Sequence, residues 1–294
     1  MTHRQAIFLM VLVTLLWSIA GVVTRHLEAA RSFEVTFWRS FFTALSLLPG
    51  LLFLKGRSLW VSLRDGGRWL WLSGICWAVM FTAFMLALTL TSVANVLVMM
   101  ALGPLVTALF SRIFLGYALP GATWLAIVVA GFGVAWMFAG DAGPGFSLAG
   151  VAVAGCVALA GAANWTLLQA AGSRQRVDMM PAVLIGALLS ALITLPVAWP
   201  LKASVHDVGL LGLLGVVQLA LPCLLVVRLS RELPAAEIAL LGLLEVVFGV
   251  TWAWLWGGET PSSQVVAGGL MVLLALVANE LLGFRRRQLA AAAT

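Results

Sequence analysis

The feature that most constrains this chain of 294 residues is a series of long, uncharged apolar runs separated by short charged segments. A helix of about 20 apolar residues crosses the hydrocarbon core of a bilayer, which is about 30 Å thick. Only 10% of the residues are charged and 63% are hydrophobic, so there is too little polar surface to cover such runs in water. The sequence therefore predicts a membrane protein. It excludes a soluble enzyme, a nucleic-acid binder and a disordered chain.

The apolar runs predict ten membrane-spanning helices. They cover Ala6–Val23, Val35–Leu54, Trp69–Leu88, Val93–Phe114, Gly121–Ala139, Phe146–Ala171, Pro181–Pro200, Val208–Val227, Ala235–Trp256 and Val265–Phe284. The runs are continuous and do not alternate apolar and polar residues as barrel strands do. With no water in the bilayer core, helices are the remaining way to satisfy the backbone. The predicted fold class is an all-α polytopic membrane protein.

The basic residues predict the orientation of the chain. The positive-inside rule places Lys and Arg in cytoplasmic loops. Of the 17 Lys and Arg residues, 13 fall on one side of the predicted helices: Arg4, Lys55, Arg57, Arg64, Arg68, Arg112, Arg174, Arg176, Arg228, Arg231, Arg285, Arg286 and Arg287. The other side has Arg25, Arg31 and Lys202, while Arg39 lies within a span. We expect a cell inner membrane protein with both termini in the cytoplasm, which requires an even number of spans.

The two halves of the sequence look alike. Residues 92–117 can be laid on residues 234–259, with Leu102 on Leu244 and Gly116 on Gly258. This predicts two repeats of five helices, in residues 1–142 and 143–294. Because five is odd, the second repeat must be inverted relative to the first, an arrangement typical of secondary transporters. Chance matching of apolar stretches is the alternative.

Short motifs resemble a known family. The motifs are Ala87-Leu88, then Thr91-Ser92-Val93-Ala94, then Leu102-Gly103-Pro104-Leu105, and finally Gly258-Glu259. Together they resemble EamA-type proteins of the drug/metabolite transporter superfamily, although Gly116-Tyr117 departs from the pattern in the first half. The resemblance implies ten helices, alternating access and export of small metabolites. Within that family the chain looks most like the aromatic amino-acid exporter branch.

Three tryptophans are predicted to lie deep in the membrane, unlike most of the 13 indoles, which fall near span ends and fit an interfacial belt. They are Trp17, Trp77 and Trp165. Trp17 and Trp165 fall within about two positions of each other in the repeat register. An indole at depth needs a partner for its N–H, so this pair could line a cavity for planar or apolar solutes. Lipid-facing or packed indoles are the alternative.

Further candidates extend this lining. Met80 and Phe84 share a face of the third span with Trp77, and Met suits surfaces that accept several ligands. Asn95 and Met99 would continue the lining on the fourth span. The polar residues Asn164 and Gln218 could bind a zwitterionic substrate. Helix packing or hydrogen bonding between helices is the alternative for all of them.

Four charged residues lie within or near the predicted spans, where ionisable groups are costly. Glu245, near the middle of the ninth span, is a candidate for the cavity or for proton coupling, with a structural hydrogen bond as the alternative. Arg39 is expected to extend its long side chain to the periplasmic interface. Glu237 fits the first turn of a helix, where a carboxylate is favoured. Glu280 is expected to be a solvated charge at the cytoplasmic end.

Two prolines are predicted to interrupt spans at mid-length. Pro104 lies in the fourth span and Pro222 in the eighth. Each removes a backbone hydrogen bond and bends its helix. They are candidate hinges for a protein that opens alternately to two sides, and static kinks are the alternative.

The sequence favours a secondary exporter of small metabolites, with aromatic or hydrophobic amino acids as the expected substrates. There is no phosphate-binding loop, so ATP hydrolysis cannot drive transport from this chain. Metalloprotease and serine hydrolase motifs are also missing. No catalytic residue, cofactor or metal is predicted, and the partners are a small-molecule substrate and the lipid bilayer. Efflux of planar cations or drugs is the alternative, and a passive channel is one from another class.

Overall fold

The computed structural model describes residues 1–30, 32–91, 93–139, 147–172, 178–257 and 262–292. Every regular element in these ranges is helical, as predicted. The helices are α1 (His3–Ser18), α2 (Ala20–Thr24), α3 (Ser32–Lys55), α4 (Ser58–Asp65), α5 (Gly67–Leu90), α6 (Val93–Met100), α7 (Gly103–Leu115), α8 (Gly121–Met137), α9 (Leu148–Ala170), α10 (Met180–Ala198), α11 (Val205–Leu213), α12 (Leu221–Leu229), α13 (Ala235–Gly242), α14 (Leu244–Gly257) and α15 (Ser263–Ala292). A π-helical segment, Leu214–Ala220, joins α11 to α12.

Within the described residues, nine helical stretches are long and apolar enough to cross a membrane. The remaining predicted span, the fifth, corresponds to α8, which has 17 residues and is about 25 Å long at 1.5 Å per residue. Large apolar side chains such as Leu125, Leu192 and Leu274 are 65–67% exposed on the outside of the bundle. Such a surface is stable against lipid tails and costly against water. The polytopic membrane fold is confirmed.

The ends of several helices differ from the prediction. The last helix continues beyond Phe284 to Ala292, because its Arg-rich end can remain helical outside the apolar core. The amphipathic helix α4 was not predicted, since it lies between two apolar runs and is only eight residues long. Phe146, predicted to begin the sixth span, lies outside the described residues, and the observed helix begins at Leu148.

Two spans are interrupted where the sequence predicted. Pro104 is the second residue of α7, directly after a break in the fourth span at residues 101–102. Pro222 is the second residue of α12, directly after the π-helical segment. A proline has no N–H for the preceding turn, so the helix must shorten or widen there. The interruptions agree with the prediction, while the hinge role stays a prediction.

The ninth span has a break that no proline explains. Helix α13 ends at Gly242 and α14 begins at Leu244. In the repeat register this position matches the break at residues 101–102 of the fourth span. Both halves therefore interrupt a helix at the same point of the alignment.

Glycines allow close packing around α5. A Cβ at Gly186 of α10 would contact the Cβ of Trp77 and lie 3.0 Å from the Gly74 carbonyl oxygen. A Cβ at Gly74 would in turn lie 2.6 Å from Cγ2 of Ile185. With no side chains at these two positions, the backbones of α5 and α10 approach closely. This contact holds Trp77 in the centre of the bundle, where it is 1% exposed.

Two buried carboxylates tie loops of the two halves together at the end predicted to face the periplasm. Asp207 accepts hydrogen bonds from the backbone N–H groups of Glu28, Ala29 and Ala30 at 2.8, 2.9 and 2.8 Å. Glu34 of the first half binds a loop of the second half in the same way, because its Oε1 accepts hydrogen bonds from the N–H groups of residues 202 and 203 at 2.8 and 2.7 Å. We call these bonds the carboxylate clasp. Each carboxylate satisfies loop donors that have no helical partner.

Candidate functional site

A cavity of about 160 Å³ lies in the middle of the bundle. Helices α1, α3, α5, α6 and α7 of the first half contribute to its wall, and so do α9, the π-helical segment, α12, α13 and α14 of the second. Most of the wall is apolar, with a small number of polar groups. Ligand sites in proteins have this character, with apolar walls and a few polar groups that orient the ligand.

The three deep tryptophans come together at this cavity. The ring centroids of Trp17 and Trp165 are 6.4 Å apart, and those of Trp77 and Trp165 are 5.4 Å apart with the rings nearly perpendicular. These separations are in the favourable range for aromatic pairs. All three line the cavity, and we call them the indole cluster. Trp165, on α9, is the shared member.

Four further predicted residues also line the cavity: Met80, Phe84, Gln218 and Glu245. Met80 and Phe84 lie on the α5 face that carries Trp77. Gln218 lies in the π-helical segment and donates from Nε2 to the Trp17 carbonyl oxygen at 3.3 Å. The hinge candidate Pro104 reaches the wall as well.

The other three predicted lining residues lie outside the cavity wall. Asn164 is fully buried and accepts a 2.6 Å hydrogen bond from the hydroxyl of Ser73. Asn95 donates to the Thr91 hydroxyl, one turn earlier, at 2.9 Å. Met99 packs with a small apolar cluster that also contains Leu88 and Val153. The hydrogen bonds of the two asparagines to protein groups agree with the alternative interpretation, in which these residues have a structural role.

Arg39 is the residue that sequence reasoning misplaced. The prediction that its side chain extends to the periplasmic interface is wrong, because the residue is 2% exposed and lines the cavity. Its Nη2 donates to the carbonyl oxygen of Phe81 at 3.4 Å. The backbone of α3 is held there by close contact with the π-helical segment. A Cβ at Gly215 would lie 2.7 Å from the Arg39 carbonyl oxygen.

Three polar atoms at the cavity have no hydrogen-bond partner among the described residues. They are Nε of Arg39, Nε1 of Trp77 and Oε1 of Gln218. Leaving a buried donor or acceptor unpaired costs about 1–3 kcal/mol, and such groups cluster where a ligand supplies the missing partner. All three atoms belong to residues of the cavity wall.

The remaining charged candidates, Glu237 and Glu280, both lie near His3. The prediction that Glu280 is a solvated charge is wrong, because it lies half-buried with its Oε2 3.8 Å from Nε2 of His3. His3 also lies 2.9 Å from Oε1 of Glu237, which occupies the first turn of α13 as predicted. The three ligand atoms are close enough to share a cation. Their mutual contacts join α1, α13 and α15.

The belt tryptophans divide in two. Those at exposed span ends, such as Trp71 and Trp199, are 51% and 72% exposed, which suits an indole at the membrane interface. Trp252 does not fit the belt, because its Nε1 donates to the Ser18 hydroxyl at 2.8 Å. That bond joins α14 to α1 near the base of the indole cluster.

Comparison with known proteins identifies the family. The EamA-like transporter family matches residues 4–139 and 148–279. The pseudopaline exporter CntI of Pseudomonas aeruginosa, from strains UCBPP-PA14 and PAO1, is 24% identical over 280 residues. That match covers 94% of this chain and 95% of the exporter. A solved crystal structure that is 20% identical superposes with a TM-score of 0.74, covering 97% of this chain and 99% of that one, which supports the fold.

The matched ranges cover nearly all of the ten predicted spans. They agree with the family resemblance of the sequence motifs, while the aromatic amino-acid exporter branch stays a prediction. The cavity lined from both halves is consistent with a carrier of a small-molecule substrate. The chain is a multi-pass membrane transporter that belongs to the EamA-like transporter family.

Proposed function

We propose that this protein exports small metabolites from the cell, and that its substrates are amino acids with aromatic or other hydrophobic side chains. The indole cluster carries this proposal, because three indoles from three helices meet at the wall of one cavity. The Met80 and Phe84 side chains extend the same apolar surface. The exporter activity named for the Pseudomonas relatives supports the direction of transport.

Alternating access is the mechanism that we propose. The predicted repeats, residues 1–142 and 143–294, would rock against each other around the central cavity. The two ranges matched by the family and the helix breaks at equivalent positions support the repeat. Pro104 and Pro222 would bend during this motion. The protein would lie in the cell inner membrane with both termini in the cytoplasm, and a gradient or coupled ion would drive transport.

Efflux of planar cations is the second candidate, and one observation favours it. Glu245 lines the cavity, and a carboxylate beside aromatic rings attracts a cation. Arg39 lines the same cavity, however, and its positive charge opposes a cationic ligand. We therefore favour the amino-acid substrate. A passive channel would need a continuous polar pathway, whereas this cavity wall is mostly apolar.

Counterflow in proteoliposomes tests the proposal. Purified protein is reconstituted, the vesicles are loaded with one unlabelled amino acid, and uptake of the same labelled amino acid is followed. Saturable uptake that depends on internal phenylalanine or leucine supports the carrier. Uptake that rises linearly with concentration would indicate a channel, and uptake of labelled planar cations alone would replace the amino-acid substrate.

A further inference from the structure

Two side chains of opposite charge, the buried Arg39 and the half-buried Glu245, line the cavity from opposite halves of the protein. Arg39 lies on α3 and Glu245 on α14, and both belong to the wall. Among the described residues, no ion pair within 4.0 Å joins them. The two side chains therefore line one cavity without pairing with each other.

Neither charge has the partners that a structural buried charge requires. In the described part of the chain, Arg39 has a single long hydrogen bond, to the Phe81 carbonyl oxygen at 3.4 Å, and its Nε has none. No side-chain hydrogen bond to Glu245 is formed within the same residues. An unpaired charge in a membrane protein is costly, and such residues face cavities or pathways. Both side chains are therefore candidates to bind a ligand in the cavity.

Two polar atoms without a hydrogen-bond partner complement the two charges, because one is a donor like Arg39 and the other is an acceptor like Glu245. Nε1 of Trp77 is a second unpaired donor on the cavity wall, and Oε1 of Gln218 is an unpaired acceptor. A carboxylate could be bound by Arg39 and the Trp77 indole. An ammonium group could be bound by Glu245 and the Gln218 amide oxygen. Such charge-assisted hydrogen bonds are stronger than neutral ones.

We propose that Arg39 and Glu245 are substrate-binding residues that select a solute with zero net charge, by pairing with its carboxylate and its ammonium group. This inference rests on the proposed function and deepens it. The charges of Arg39 and ionised Glu245 cancel, so a zwitterion leaves the loaded cavity neutral. A cation leaves Arg39 unpaired, and an anion leaves Glu245 unpaired. The indole cluster recognises the side chain, while this pair recognises the charges.

Binding of three compounds with one phenyl skeleton tests the inference. They are phenylalanine, 2-phenylethylammonium and 3-phenylpropionate, titrated calorimetrically into the detergent-solubilised protein at neutral pH. We expect the wild type to bind phenylalanine at least about tenfold more tightly than either singly charged compound, since a charged hydrogen bond is lost in each. Comparable affinity for all three would overturn the inference. A wild type that binds none of them would overturn the proposed substrate class as well.

Two variants assign the roles. In Arg39→Gln the preference for phenylalanine over 2-phenylethylammonium should fall by about tenfold, while the preference over 3-phenylpropionate is kept. In Glu245→Gln the reverse is expected. Arg112→Gln and Glu232→Gln remove charges outside the cavity wall and should keep both preferences. A structural role would instead weaken all three compounds equally, and that result would overturn the inference while leaving the proposed function standing.

A third variant covers failure to fold. Arg39→Lys keeps the positive charge but has fewer hydrogen-bond donors. It should therefore keep the preference for phenylalanine over 2-phenylethylammonium, with weaker absolute binding. If circular dichroism shows that Arg39→Gln is unfolded, the affinities of Arg39→Lys and of the wild type for the three compounds test the role of the charge instead. Equal affinity of Arg39→Lys for phenylalanine and 2-phenylethylammonium would refute the role of the charge.

Discussion

Removal of the shared member of the indole cluster should selectively weaken transport of aromatic substrates. Trp165 is 7% exposed and lies 6.4 Å from the ring of Trp17 and 5.4 Å from that of Trp77. An aromatic pair adds about 0.5–1.5 kcal/mol beyond burial of its area, which corresponds to roughly 2- to 13-fold in affinity. Trp165→Ala also removes the ring against which both Trp17 and Trp77 pack. We therefore expect a loss of substrate affinity near the upper value, and a smaller loss for Trp17→Ala.

The measurement is the concentration dependence of counterflow in proteoliposomes, for phenylalanine and for leucine. In both variants KM for phenylalanine should rise by the factors above, and KM for leucine should rise less, because leucine has no ring to stack. Trp71→Ala is the matched control, since Trp71 is 51% exposed on α5, the helix that carries Trp77. Normal kinetics of both Trp165→Ala and Trp17→Ala would refute the role of the indole cluster.

Three further changes test other parts of the structure. Glu245→Gln should remove any pH dependence of transport, because it replaces the carboxyl group in the cavity wall by an amide that does not titrate; an unchanged pH profile would exclude proton coupling there. Asp207→Asn should lower the melting temperature in detergent by roughly 2–8 °C, since three backbone donors lose a charged acceptor; an unaltered melting curve would mean that the carboxylate clasp adds no stability. Pro222→Ala should slow turnover by about two- to tenfold at unchanged substrate affinity if Pro222 is a hinge, and equal turnover numbers would support a static kink.

Most of the fold was predictable because it depends on a one-dimensional pattern. A span needs a minimum length of apolar residues, and a loop needs charges, so both can be recognised along the chain without knowing any contact. The breaks at Pro104 and Pro222 were equally predictable, because a proline lacks its N–H in every context. The break between Gly242 and Leu244 was not, since no residue there is incompatible with a helix.

The cavity was predictable only in part. Trp17, Trp77 and Trp165 could be found as indoles away from the span ends, where an interfacial position does not explain them. Asn95 and Asn164 had the same sequence character as Gln218, and each of the three forms a hydrogen bond, yet of the three Gln218 alone lines the cavity. Helical periodicity defines a face of a helix. It does not say whether that face meets a cavity or another helix.

By itself the sequence determined the class of the protein, its membrane spans and the family resemblance, because hydropathy, helix length and short motifs are local properties. Only the tertiary structure decided which polar side chains share one cavity. Arg39 is a single charge near the end of an apolar run, so its sequence position favours the interface. Close packing at Gly215 instead brings its helix against the π-helical segment, and the guanidinium lines the cavity that Glu245 lines from the other half.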